Sequence, residues 1–240
     1  MIFLFFLLSY TVKADSSIYI EPYTYLYDNV ELVLDTVTVT SDRALVTEDS
    51  IRVWGDLKIE KGDLIIYGGL GRYFFDRIYY IENGMRAERR EDTLTAGRGK
   101  LYEERNEVYA RDSLVIWSEG KSIEGDEGSY NFETREGVIW GEVLFKSKKD
   151  TVELNSDTVR VYGDTLVVAR GNTLTKAKFK VYSDTLRYYI DKDLLVFFGR
   201  PLVITENDSL SGDYMEMLIK DGKIIELRAK GNVRGDRRER

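Results

Sequence analysis

Forty-two carboxylates stand in a chain of 240 residues that has no histidine and no cysteine, so any chemistry would fall to acids, lysines and hydroxyls. Two carboxylates suffice for glycoside hydrolysis, one as acid and one as base or nucleophile. The acids that recur are Asp35, Asp49, Asp92, Asp112, Asp150, Asp157, Asp164, Asp184 and Asp208, each followed by Ser or Thr and then an aliphatic residue. Such side chains bond nearby backbone groups and begin a strand after a turn. That role accounts for the repeat without catalysis, and no acid is set apart from the rest. Without His and Cys there are no imidazole or thiolate metal ligands and no Ser/His or Cys/His pairs. The expectation is a protein that is not an enzyme and needs no metal or cofactor. The clusters "KSKK" (146–149) and "KAKFK" (176–180) suit contact with phosphates or a sheet edge guarded by lysines. With a net charge of −7 and both signs mixed along the length, the chain lacks the basic face that nucleic acids require.

The elements that carry these residues read as strands almost throughout. In "IRVWGDLKIE" (51–60), Ile51, Val53, Leu57 and Ile59 fall on one side and Arg52, Trp54, Asp56 and Lys58 on the other, the period of a half-buried strand. "VYARDSLVIW", "NTLTKAKFKVY" and "KIIELRAKGNV" have the same β-branched and aromatic character. A small residue between apolar ones recurs at Gly55, Gly84, Ala110, Gly141, Gly171, Gly199 and Gly231, at gaps of 29, 26, 31, 30, 28 and 32 residues. That regularity indicates a laddered architecture. A glycine inside an apolar run marks a bend, and Pro201 beside Gly199 fits one. Two facing sheets of bent antiparallel strands satisfy the pattern, and a β-solenoid surface or adhesion protein is the alternative.

The first ten residues, "MIFLFFLLSY", are nearly all apolar. A helix of that length reaches only about 15 Å, so it suits a signal-peptide core better than a membrane span. Val12 and Ala14 supply a cleavage pattern, giving a leader over 1–14 and export. Residues 15–235 are expected to form the β-structure and 236–240 a basic, disordered tail. The charged "ENGMRAERRED" (82–92) and the glycine-rich "EGKSIEGDEGS" (119–129) read as turns within one ladder.

Three segments, "SDTVRVYGDTLVVARGNTL" (156–174), "YSDTLRYYIDKDLLVFFGRPLVI" (182–204) and "DSLSGDYMEMLIKDGKIIELRAKGNV" (208–233), alternate a "D-x-L-x-Y" strand with one ending in "G-N-V" or a variant. Gly171-Asn172 and Gly231-Asn232-Val233 match closely, Gly141-Glu142-Val143 and Gly199-Arg200-Pro201 loosely. In these features the sequence resembles the OstA-like (LptA) family of lipopolysaccharide transport, most densely over about 120–235 and more thinly over 30–120. The resemblance implies an elongated, twisted β-jellyroll with lipopolysaccharide acyl chains between its sheets. It also implies a periplasmic location, edge-strand pairing with LptC-like and LptD-like components, and head-to-tail self-association. Positions expected to line the groove are Ile51, Val53, Leu57, Ile139, Val143, Phe145, Leu186, Tyr188, Leu195, Phe197, Val203, Leu227 and Val233. Each acyl methylene buried there contributes about 0.8 kcal/mol, and the 17 tyrosines can set rings at its rim with hydroxyls outward. The alternation alone leaves a closed core and an open groove equally allowed.

Overall fold

A computed structural model describes residues 10–148, 152–176, 179–220 and 223–237. Its regular elements are 22 strands and two single-turn 3-10 helices, Glu103–Arg105 and Ile190–Lys192. The chain divides into two compact units, 1–112 and 113–240.

Unit 1 contains β1 (Tyr10–Lys13), β2 (Ser16–Ile20), β3 (Tyr23–Leu34), β4 (Val37–Val46), β5 (Ile51–Lys61), β6 (Leu64–Tyr73), β7 (Ile78–Glu82), β8 (Met85–Arg89), β9 (Asp92–Ala96) and β10 (Arg98–Tyr102). β11 (Glu107–Ser118) crosses the boundary. Long strands are shared between two sheets. On β6, residues 65–67 pair with β8 while 70–73 pair with β7, and register breaks split β3, β4 and β5 at the same level. The two sheets face each other closely. A Cβ on Gly71 would lie 2.7 Å from Leu57 Cδ2, and one on Gly99 would lie 2.5 Å from Met85 Sδ.

Unit 2 repeats the plan with β12 (Lys121–Asn131), β13 (Glu136–Ser147), β14 (Val152–Tyr162), β15 (Leu166–Lys176), β16 (Lys180–Tyr189), β17 (Leu194–Phe198), β18 (Leu202–Ile204), β19 (Asp208–Ser211), β20 (Tyr214–Lys220), β21 (Lys223–Lys230) and β22 (Arg234–Arg237). Residues 185–189 of β16 pair with β17 and residues 180–182 with β18. Phe145, from one sheet, meets Tyr188, from the other, edge to face with centroids 6.3 Å apart. The all-β jellyroll expectation holds: bent antiparallel strands, with apolar residues turned inward between two sheets.

The bends have a common construction. Gly55, Gly141, Gly171, Gly199 and Gly231 have φ between +68° and +82°, a region costly for residues with a Cβ. On the preceding strand stand Asp42, Asp126, Asp157 and Asp184, and just before β20 stands Asp213, each with a carboxylate oxygen where the glycine's Cβ would be. Ser41 and Ser156, which precede two of these aspartates, are buried and hydrogen-bond across the bend, Ser156 Oγ donating to the Arg170 carbonyl at 2.7 Å and Ser41 Oγ to that of Arg43 at 3.0 Å.

Three expectations need correction. Asp157 and Asp184 sit at bends inside β14 and β16 and do not begin strands; the Asp-Ser/Thr pattern mixes turn residues with bend residues. Ala110 is not the bend of its strand, since the positive φ values lie at Asp112 (+68°) and Ser113 (+63°). The stretches 82–92 and 119–129 are largely strand: β8 turns Met85 and Ala87 inward and Arg86 outward, and β12 occupies 121–131. At the termini, the leader 1–14 falls partly on β1, paired with residues 31–34, and its residues 1–9 lie outside the described residues. Asp236 and Arg237 end β22, paired with Ser209 and Asp208; residues 238–240 lie outside the described set.

Candidate functional site

The apolar stripe is built by alternation. On β5 Ile51, Val53, Leu57 and Ile59 are buried while Arg52 and Asp56 are exposed, so Ile51, Val53 and Leu57 lie inside unit 1. In unit 2 the inward set is Ile139, Val143 and Phe145 on β13, Leu186 and Tyr188 on β16, Leu195 and Phe197 on β17, and Val203 on β18, all buried. Leu227 is half-buried on β21, opposite Met217. Val233 is 50% exposed between β21 and β22. Leu227 lies on β21 and Val233 beyond it, where among the described residues no further strand covers the flank.

Among the described residues these inward side chains are packed as a core. In unit 2 a cavity of about 30 Å³ is lined by Ile116, Ile123, Tyr130, Phe145, Val161 and Ile190, with Lys121, Arg135 and Asp164 at its edge. That volume holds about one water. An alkyl chain enters only if the sheets part at this end. Of these residues the sequence pattern singles out Phe145. Ile123 and Tyr130 were hidden in a glycine-rich, charged segment, although their spacing on either side of the 124–127 register break follows the same alternation.

The polar rim of this end is an ion-pair network. The Arg135 guanidinium lies 2.9 Å from Glu119 Oε1 and 2.7 Å from Asp164 Oδ2, and Lys121 Nζ lies 3.2 Å from Asp164 Oδ1. Arg135 has φ +57°, and its carbonyl accepts the Gly163 N–H at 3.1 Å, so neighbouring turns are tied by backbone as well as charge. Burial alone would raise the Asp164 carboxyl. The hydrogen bonds from Arg135 and Lys121, with their charges, outweigh it and hold the group below the ordinary carboxylate range.

Unit 1 has a related rim with different chemistry. Arg77, at φ +60°, faces Asp35 at 3.6 Å and Glu104 at 3.9 Å, and its carbonyl accepts the Glu103 N–H at 3.0 Å. The Glu103 side chain is buried, with Thr36 Oγ1 3.4 Å from its carboxylate. Burial raises its pKa against the opposing pull of Lys61 and Arg77. Nearby, Tyr73 and Tyr79 stack at 4.6 Å, and both line a cavity of about 10 Å³ with Leu32, Leu34, Ile51 and Val53. Burial also raises the Tyr79 phenol.

Among the described residues no group of three or more acids is placed to hold a metal ion, and no helix is long and apolar enough to cross a membrane. The basic clusters fall partly outside the described residues, at Lys149 and Lys178, and Lys146 pairs with Glu124 at 3.4 Å.

Comparison with known proteins bears on these features. No curated protein sequence matches the chain. Among solved structures, LptH from Pseudomonas aeruginosa, the LptA-homologous periplasmic component of the lipopolysaccharide transport device, is similar at 15% identity. The match covers 50% of this chain and 95% of that one with a TM-score of 0.44, a likeness too loose to carry an inference. Residues 122–223 match the model of the "LptA/(LptD N-terminal domain) LPS transport protein" family. This is the stretch holding the bends at Gly141, Gly171 and Gly199 and most of the inward residues of unit 2. Over residues 122–223, accordingly, the chain is similar to the LptA/LptD N-terminal family.

Proposed function

We propose that the protein is a periplasmic carrier that takes acyl chains of lipopolysaccharide, or of a related amphiphilic glycolipid, between the two sheets of unit 2 and passes them on for outer-membrane assembly. The observation that carries this reading is the match of residues 122–223 to a lipopolysaccharide-transport family, over a segment whose inward face is almost wholly apolar. Acyl binding requires no catalytic group, since its driving force is burial of apolar surface. The 15–235 region acts as the jellyroll part of the chain, and export through a cleaved leader over 1–14 brings it to the periplasm.

Handover to LptC-like and LptD-like components, or to a second copy, proceeds by strand addition at the ends of the ladder. β2 is exposed at every residue and pairs with β3 alone among the described residues. It displays Ile18, Tyr19 and Ile20, with Tyr19 68% exposed. β21 pairs with β20 alone among the described residues and displays Ile225. Exposed apolar edges of this kind template a further strand.

The test is photocrosslinking in the periplasm, with a reactive group at buried Phe197 and a control at Arg187, which faces outward over the Phe198 ring. A lipopolysaccharide adduct at 197 and none at 187 is expected. Folded, exported protein that captures lipid at neither position removes the carrier reading and favours the β-repeat surface protein.

A further inference from the structure

The bend construction recurs outside the family-matched segment. Unit 2 contains four bend pairs, Asp126/Gly141, Asp157/Gly171, Asp184/Gly199 and Asp213/Gly231. Unit 1 contains one such pair and three variants of it, in which the positive φ falls on Asn29, Asn83 or Asp112 and not on a glycine. Asp42 faces Gly55, Asn83 faces Gly69 and Asp112 faces Gly97 at the Cβ position, and Asn29 Nδ2 donates to Asp15 Oδ2 at 2.7 Å, as Asn232 Nδ2 does to Asp213 Oδ2 at 2.8 Å. The 3-10 turns correspond as well. Tyr102 (φ −90°, ψ 97°) precedes Glu103–Arg105 and Asn106 (φ 51°, ψ 32°) follows; Tyr189 (φ −86°, ψ 97°) precedes Ile190–Lys192 and Asp193 (φ 49°, ψ 34°) follows. In each turn the first residue is buried, and these are Glu103 and Ile190. The N–H of Glu103 donates to the Arg77 carbonyl at 3.0 Å as that of Ile190 does to the Thr165 carbonyl at 2.9 Å, so each turn is tied to a neighbouring one at its first residue.

We infer that unit 1 is a second, divergent copy of the carrier domain, with its own alkyl-chain site between its sheets, and that this site takes a chain bearing a hydrogen-bonding group such as a hydroxyl. This rests on the proposed function of unit 2. The polar preference comes from Tyr79. Four buried side-chain polar atoms among the described residues have no hydrogen-bond partner: Tyr79 Oη, Asn155 Nδ2, Thr175 Oγ1 and Ser183 Oγ. Of these, Tyr79 lines the unit 1 cavity, and the residue is 2% exposed. A buried hydroxyl left unpaired is unfavourable, and a polar group on an inserted chain would satisfy it. A site built to hydrogen-bond a ligand group discriminates against the analogue that lacks it. Unit 2 has Ile190 at the position of Glu103, and no unpartnered hydroxyl among the residues lining its cavity.

The experiment uses the full chain with myristate and a hydroxylated myristate as probes. A photoreactive residue is placed at Tyr73, whose ring stacks on Tyr79, or at Phe197, and Tyr79→Phe is measured beside the unaltered protein. Adducts at both 73 and 197 are expected, with Tyr79→Phe weakening the hydroxylated probe about tenfold, the worth of one hydrogen bond of about 1.4 kcal/mol, and leaving myristate unchanged. Adducts at 197 alone overturn the second site and leave the carrier reading of unit 2 intact. Adducts at 73 alone keep the second site and remove that reading, and capture at neither removes both. Should the Tyr73 variant fail to fold, the isosteric Tyr79→Phe decides: equal loss of both probes, or of neither, overturns the inference.

Discussion

At Gly171 the requirement for glycine has two separable causes: a φ of +77° and the Asp157 carboxylate occupying the place of a Cβ. The left-handed conformation alone costs an alanine about 1–2 kcal/mol, and displacing the carboxylate adds to it. Gly171→Ala is therefore expected to lower the urea midpoint by more than the backbone figure alone, and Asp157→Ala in the same chain should recover the part due to the clash. Additive losses in the double-mutant cycle would show that carboxylate and glycine are independent. Glu103 supplies a second prediction. Its folded-state pKa is raised, chiefly by burial, so the folded protein holds the proton more tightly than the unfolded chain and stability falls as pH rises from the ordinary glutamate value of 4.5 through the folded value. Thr36, Lys61, Arg77, Asp35, Tyr73 and Tyr79 surround or couple to it, with Lys61 and Arg77 opposing the rise. Glu103→Gln should flatten this part of the stability–pH profile and raise the melting temperature at neutral pH; an unchanged profile would mean the carboxyl is not held in its buried state.

Strands of this kind were legible where backbone geometry demands a particular residue. Glycines at positive φ announced five of the bends, because few other residues tolerate that conformation. Ala110 misled because a small side chain was counted in place of a dihedral angle, and β11 bends two residues later. The aspartates were legible as a repeat but not as two roles, since the same short side chain serves a turn and fills the space over a glycine. Inward residues on β5, β13, β16 and β17 followed from alternation, whereas Leu227 and Val233 did not, because at the last strands an inward-type residue has no neighbour to cover it. The rim network was invisible, as Glu119, Lys121, Arg135 and Asp164 come from three turns that only folding brings together. Its titration is predictable in sign. Asp164 has a depressed pKa, so its contribution is present above the unfolded carboxyl value of 3.8 and lost as pH falls through the folded one. The group is 41% exposed, which keeps the effect small. Asp164→Asn should reduce the acid-induced loss of stability and speed exchange of amides at the 163–165 turn; unaltered exchange would show that the backbone ties alone close that end.

For the whole molecule, the division at 112/113 could not be read from station spacing, which runs through the boundary without a break. The two ends of the strand ladder were legible in kind, as exposed edges, although the apolar character of β2 was not. Removing residues 224–240 deletes nearly all of β21 together with β22, leaving β20 and β19 as new edges. Self-association measured by sedimentation is expected to weaken, and an unchanged association constant would exclude the C-terminal edge as the joint.

The recurring pair of strands, one offering an aspartate and the next a glycine, also makes the fold a counted object. Each pair closes its own bend and presents the same flank to the next, so a chain can gain or lose whole pairs without redesigning the interior. With neighbouring strands about 4.8 Å apart, one pair sets a step of about 10 Å. Evolution of reach in such a protein is then a matter of arithmetic on repeats, and single-residue insertions, which would put an aspartate out of step with its glycine, are the changes it should resist.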